Sequence, residues 1–130
     1  MNAKMFLAAA ALAIACENPS RATEPVWGKQ TCAYCSMILS QPRFAAQLTT
    51  AGGERFFFDD PGCMAAWVRQ HQPRVRSMWV REGNGWIDAK TARFRRGDKT
   101  PMDWGLAPAP DGTVGWSSVE QAVNEREPKP

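Results

Sequence analysis

An unbroken apolar run of eleven residues, Met5 to Ala15, stands near the start of the chain. It is too short to span a bilayer as a helix, which takes ~20 residues, and has the length of a signal-peptide core. The polar stretch "ENPSRATEP" (17–25) follows with two prolines and no periodicity, and reads as a tether. Strand-like runs come next at "RFAAQLTT" (43–50) and "ERFFF" (54–58), with Ala51-Gly52-Gly53 between them as a hairpin turn. Residues 60–72 predict a helix. Asp59 or Asp60 caps it, Pro61 suits its first turn, and Cys63, Met64, Trp67, Val68 and His71 share a face. Pro73 stops it. "RVRSMWVRE" (74–82) alternates as a strand, with Met78 and Val80 on one side and Trp79 and Arg81 on the other, and nothing in the pattern says which side is buried. "GNG" (83–85) turns the chain, and 86–87, 92–94 and 113–116 are short strand candidates. "SSVEQAVNER" (117–126) reads as a closing helix, with Ser117 and Glu120 in capping-box spacing. The pattern is α+β: two small, unequal β-β-α-type modules sharing one core.

Ala13-Ile14-Ala15 has the small-x-small form of an export cleavage site, and Cys16 follows at once. "ALAIAC" therefore resembles a bacterial lipoprotein signal, in which Cys16 is lipidated and becomes the first residue. The expected organisation is a signal peptide over 1–15, a lipid anchor and tether over 16–25, a domain over 26–126 and a frayed tail over 127–130. Glu17 stands where aspartate commonly signals retention in the inner membrane, so the expected location is the periplasm, anchored to the outer membrane.

The formal charge of +3 falls to +2 once residues 1–15 are gone, because Lys4 is the one charged residue among them. So small a balance speaks against nucleic acid or acidic substrates. Arg93, Arg95, Arg96 and Lys99 read as a solvated strand and turn. Six tryptophans and, beyond Phe6 of the apolar run, five phenylalanines supply large pieces for one modest core.

Three cysteines, Cys32, Cys35 and Cys63, remain for the domain, an odd number in an exported chain. One set of ligands would be the three cysteines with His71, the sole histidine, around zinc. The spacing opposes it: eight residues of helix separate Cys63 from His71 by ~12 Å, and zinc bonds are only ~2.0–2.3 Å long. A redox dithiol of Cys32 and Cys35 is a second reading, but "SMILSQP" does not look like the helix such a pair would cap. A structural disulfide is a third. A soft-metal site for Cu(I) is the fourth, because thiolate and thioether select a soft cation. If residues 35–37 are extended, Cys35 and Met37 point to the same side with Cα atoms ~6.6–6.8 Å apart. Cys32 and Cys35 then face apart unless the loop turns.

The stretches "CAYCSM", "FFFDDPGCMAAWV", "WIDA" and "TPMDWGLAP" occur in this order. Together they resemble the nitrous oxide reductase accessory lipoprotein (NosL) family over nearly all of 26–126. The resemblance implies paired β-β-α-type modules and a periplasmic Cu(I)-binding lipoprotein. It further implies a metallochaperone that supplies copper for maturation of apo nitrous oxide reductase, with a membrane ABC-type assembly complex as partner. Cys35 matches the family's principal copper thiolate, Met37 the methionine that follows it, and Met102 a late methionine ligand. Ser36 and Asp103 stand where the family often has glycine. Cys32 is a further candidate ligand. Cys63 reads first as a buried small residue and second as a third thiolate, and the Asp59-Asp60 turn reads as helix capping. No Gly-rich phosphate loop, H-E-x-x-H or nucleophile elbow occurs. The expected function is copper delivery without catalysis, and the alternative is a periplasmic thiol–disulfide oxidoreductase using Cys32 and Cys35.

Overall fold

The computed structural model describes residue 18 and residues 20–128. The apolar run and the expected lipidation site Cys16 lie outside the described residues. Strands β1 (Ala46–Thr50) and β2 (Arg55–Phe58) form the predicted hairpin. Helix α1 (Pro61–His71) follows, and then a second hairpin of β3 (Val75–Glu82) and β4 (Gly85–Asp88). The sheet order is β2-β1-β3-β4, antiparallel throughout. Strands β5 (Phe94–Arg96) and β6 (Leu106–Pro108) pair separately, and α2 (Trp116–Arg126) closes the chain. The architecture is α+β. The two halves meet where β1 pairs with β3, Ala46 opposite Val80 and Leu48 opposite Met78.

Pairing places Ala46, Leu48, Phe56, Phe58, Met78 and Val80 on one face of the sheet. Trp67 of α1 packs there, its ring centroid 4.6 Å from Phe56 and 5.9 Å from Phe58. Phe58 is fully buried, which stabilises the fold by ~1.5–3 kcal/mol. The ambiguity in β3 is thereby decided: Met78 and Val80 face the core. Trp79 and Arg81 face outward, yet Arg81 is buried too, because residues 23–27 cover that side. Glu24 accepts hydrogen bonds from Arg81 and from the indole nitrogens of Trp27 (3.1 Å) and Trp86 (2.9 Å). The backbone of Thr23 exchanges hydrogen bonds with the side chain of Gln47, at 3.0 and 2.8 Å. Residues 23–25, read above as the end of the tether, therefore pack on the domain.

Asp60 is the N-cap of α1, its Oδ1 accepting from Gly62 N at 3.0 Å, and Pro61 opens the first turn. Gln72 ends the helix in the left-handed region, one residue before Pro73. The second helix departs from expectation. Its N-cap is Gly115 with no side-chain cap, so the Ser117–Glu120 box does not form. Trp116 is buried 6.0 Å from Phe94, and its packing draws the helix start forward until Ser117 lies inside the first turn. The expected strand at 113–116 is reduced to a single bridge between Val114 and Phe94. Among the described residues no helix is long and apolar enough to cross a membrane.

Candidate metal centre

The segment before β1 folds back on itself as a short ribbon. Leu39 N donates to Gln30 O at 2.8 Å, Thr31 bridges Ile38, and Cys32 N donates to Met37 O at 2.8 Å. The ribbon reverses through a turn at 33–35, where Ser36 N donates to Cys32 O at 3.0 Å. Ser36 has φ +66°, the left-handed conformation that glycine adopts most readily. Residues 35–37 are thus not extended, and the same-side argument for Cys35 and Met37 fails. The turn instead brings Cys35 back toward Cys32. Ala33 N donates to Phe57 O at 2.9 Å, which pins the turn to β2. Strand β2 then ends at Phe58, and Asp59, Asp60 and the first turn of α1 with Cys63 follow directly.

These connections gather Cys32, Cys35, Cys63 and Asp59. One ligand atom from each lies within 4.8 Å of the others, a set that can hold a metal ion. Cys35 Sγ donates to Asp59 Oδ1 at 3.3 Å. Cys32 and Cys63 are 2 % and 0 % exposed and Asp59 is 4 % exposed, whereas Cys35 is half-buried and forms the open side. Sequence spacing left Cys63 mainly as a core residue; it is both buried and a member of the cluster.

The three thiols are electrically unlike. The hydrogen bond from Cys63 favours the Cys32 thiolate and lowers its pKa to about 7 against the cost of burial. Cys63 is correspondingly pushed up, first by that same hydrogen bond and then by burial. Burial raises Cys35 to about 12, and the charges of Cys32 and Asp59 add to the effect. One thiol thus gives up its proton more readily than a free cysteine, and two hold theirs more tightly.

Both methionines are tied to the cluster's elements through the backbone, Met37 O accepting from Cys32 N. Met37 is half-exposed on the ribbon. Met102 lies on the loop between β5 and β6, partly buried. Its N–H donates to Asp60 Oδ2 at 3.0 Å, and its carbonyl accepts from Arg126 at 2.8 and 2.9 Å. Asp60 is therefore structural, capping α1 with one oxygen and tying the Met102 loop with the other. Asp59, assigned with it to capping, belongs to the cluster instead. A helix end takes one cap residue, so of two adjacent aspartates the first was free for another role; that was the available signal. His71 is exposed, stacks on Trp67 at 4.3 Å, and lies outside the cluster.

A cleft of about 380 Å³ opens elsewhere, between α1, α2 and β3, lined by Val68, Val75, Met78 and Trp116 among others and by no cysteine. Compared with known proteins, the chain matches no family model, no curated protein and no solved structure.

Proposed function

We propose that the protein binds Cu(I) through this cluster and delivers it to a partner in the periplasm. The observation that carries the reading is the donor set: three thiols that converge on one point, two of them buried. Several thiolates in a dry site select a soft cation, and a half-buried Cys35 leaves a way in and out. Cys35 is the thiolate at that opening. Met37 and Met102 would add thioethers, weak ligands that an incoming partner sulfur can replace; what supports them is that their backbones bond to Cys32 and to Asp60. The resemblance to the NosL family names the recipient, apo nitrous oxide reductase matured with an ABC-type membrane complex, and the lipid anchor at Cys16. Ser36 and Asp103 support it from a second side. They have φ +66° and +55°, and they occupy the positions where that family often carries glycine.

The thiol–disulfide alternative is disfavoured by the division of labour among the thiols. A reactive cysteine combines exposure with a depressed pKa. Here Cys32 is 2 % exposed, out of reach of another protein's disulfide, and the accessible Cys35 is pushed up by burial while it donates to Asp59.

Anaerobic competition of the reduced chain against a Cu(I)-specific chelator tests the reading. One tightly held Cu(I) is expected, nearly abolished by Cys35→Ser. Met37→Leu and Met102→Leu keep size and apolarity, and each weakens binding at least tenfold, ~1.4 kcal/mol, with apo-protein melts as the folding control. A parent chain that holds no Cu(I) defeats the proposal. In the cell, a deletion strain should lose growth on nitrous oxide and regain it with added copper.

A further inference from the structure

The case against zinc in the sequence rested on His71, which is too far along α1 from Cys63. The folded chain offers a different fourth donor. Asp59 Oδ1 lies 3.3 Å from Cys35 Sγ, and the carboxylate is buried with the thiols, every donor within 4.8 Å of every other.

A zinc ion with bonds of ~2.3 Å to sulfur and ~2.0–2.2 Å to oxygen sets tetrahedral edges of about 3.8 Å between sulfurs and about 3.5 Å from sulfur to oxygen. The cluster therefore needs to contract by no more than about 1 Å along any sulfur–sulfur edge, and about 1.3 Å along any sulfur–oxygen edge, to become that tetrahedron. The Asp59–Cys35 edge already has the required length. Nor is Asp59 needed as a cap, since Asp60 alone accepts from Gly62 N.

We infer that the cluster has a second mode of occupancy, resting on the metal-binding reading above. A divalent ion of borderline softness, zinc, is held by Cys32, Cys35, Cys63 and the Asp59 carboxylate. Cu(I) uses sulfur alone and leaves Asp59 as a neighbour. The chemistry behind the division is ligand hardness. An anionic oxygen suits zinc and offers little to a soft monovalent ion, for which thiolates and thioethers suffice. On entry of either ion the thiols release their protons to solvent, and no electron moves. Asp59 is then the residue that sets metal selectivity. It adds affinity for zinc without adding affinity for copper, so its removal sharpens discrimination for copper.

The test uses the reduced chain, its Asp59→Asn variant and the probes Zn(II), Co(II) and Cu(I). The parent is expected to bind one Zn(II) with an X-ray absorption signature of three sulfurs and one oxygen. Co(II) in its place gives the intense visible bands of a tetrahedral site. Asp59→Asn keeps shape and hydrogen bonding but removes the anionic oxygen. It should lower zinc affinity at least tenfold while changing Cu(I) affinity less than about threefold, a loss of ~1.4 kcal/mol confined to the divalent ion. A parent that takes Cu(I) but no zinc overturns this inference and leaves copper delivery standing. A parent that takes zinc but no Cu(I) overturns copper delivery and leaves the zinc site. A zinc shell without oxygen overturns the role of Asp59 even if the variant fails to fold, as does an Asp59→Asn chain that loses both ions equally.

Discussion

A single proton count separates the possible ligand sets. Cys32 has a pKa of about 7, while Cys35 is raised to about 12 and Cys63 is also raised. Above pH 7 the free protein has already lost the Cys32 proton, and an ion bound by all three thiolates displaces about two more. Affinity for Cu(I) should therefore rise with pH by about two decades per unit between pH 7 and 9, and by about three per unit below pH 7, where the Cys32 proton must leave too. Chelator competition across that range measures the slope. A slope of one throughout would leave Cys35 as the sole displaced thiol and return the weight of the site to Met37 and Met102. Ser36 supplies a second prediction at this scale. A left-handed conformation costs an ordinary residue ~1–2 kcal/mol, part of which glycine forfeits through unfolded-state entropy of ~0.5–1 kcal/mol. Ser36→Gly should raise stability by ~0.5–1 kcal/mol with metal affinity unchanged, read from denaturant melts of the apo-protein. A loss of stability would mean that the Ser36 side chain supports the turn.

Where an element's own residues carried its signal, the sequence was legible. Gly52-Gly53 and the apolar runs on either side mark the first hairpin, and Asp60-Pro61 mark the start of α1. Elements made by distant partners were not. β6 is three residues of "LAP" that become a strand only by lying against β5, and α2 begins where Trp116 finds Phe94. The site divides in the same way. The C-x-x-C pair and Cys63 could be read as candidate ligands, but their meeting depends on Ala33 hanging from Phe57, a contact no local pattern encodes. Where α1 begins, two substitutions test the junction. Asp60→Ala removes a cap worth ~0.5–2 kcal/mol and leaves Met102 N without its acceptor. Burial, which raises the Asp60 pKa, offsets part of that loss. We expect a net cost of about 2 kcal/mol, with Cu(I) affinity falling by less than in Met102→Leu because Arg126 still holds the Met102 carbonyl. A larger loss of copper binding than that of Met102→Leu, in the folded variant, would make Asp60 a site residue. Gly62→Ala is a steric test, because a Cβ there would sit 2.0 Å from Trp104 Cγ. Trp104 is buried beneath Arg126, whose guanidinium lies 3.9 Å from the ring centroid. The ring has little room to retreat, and the substitution should cost ~1–3 kcal/mol in thermal unfolding.

Across the described residues, the segments that lead into and out of the domain are both fastened to the body that holds the cluster. At the C-terminal end, Tyr34 of the thiol turn donates to the Glu127 carboxylate, and Arg69 of α1 donates to the Glu127 carbonyl. Glu127 thus serves as a clasp, although the sequence placed it in a frayed tail. At the N-terminal end, Glu24 gathers Arg81, Trp27 and Trp86. Glu24 is half-exposed, so Glu24→Ala should cost only about 1 kcal/mol, while amide exchange at Thr23 and at the Trp86 indole accelerates many-fold. Unchanged exchange would show that Gln47 alone holds the segment. Fastening at Thr23 also sets a range. If Cys16 carries the lipid, only residues 16–22 are left to pay out, and they reach ~25 Å at full stretch. The domain then skims the bilayer like a boat on a short mooring. Under that anchoring, a membrane-embedded partner would be met at high local concentration, and one that stands far from the surface would be beyond its swing.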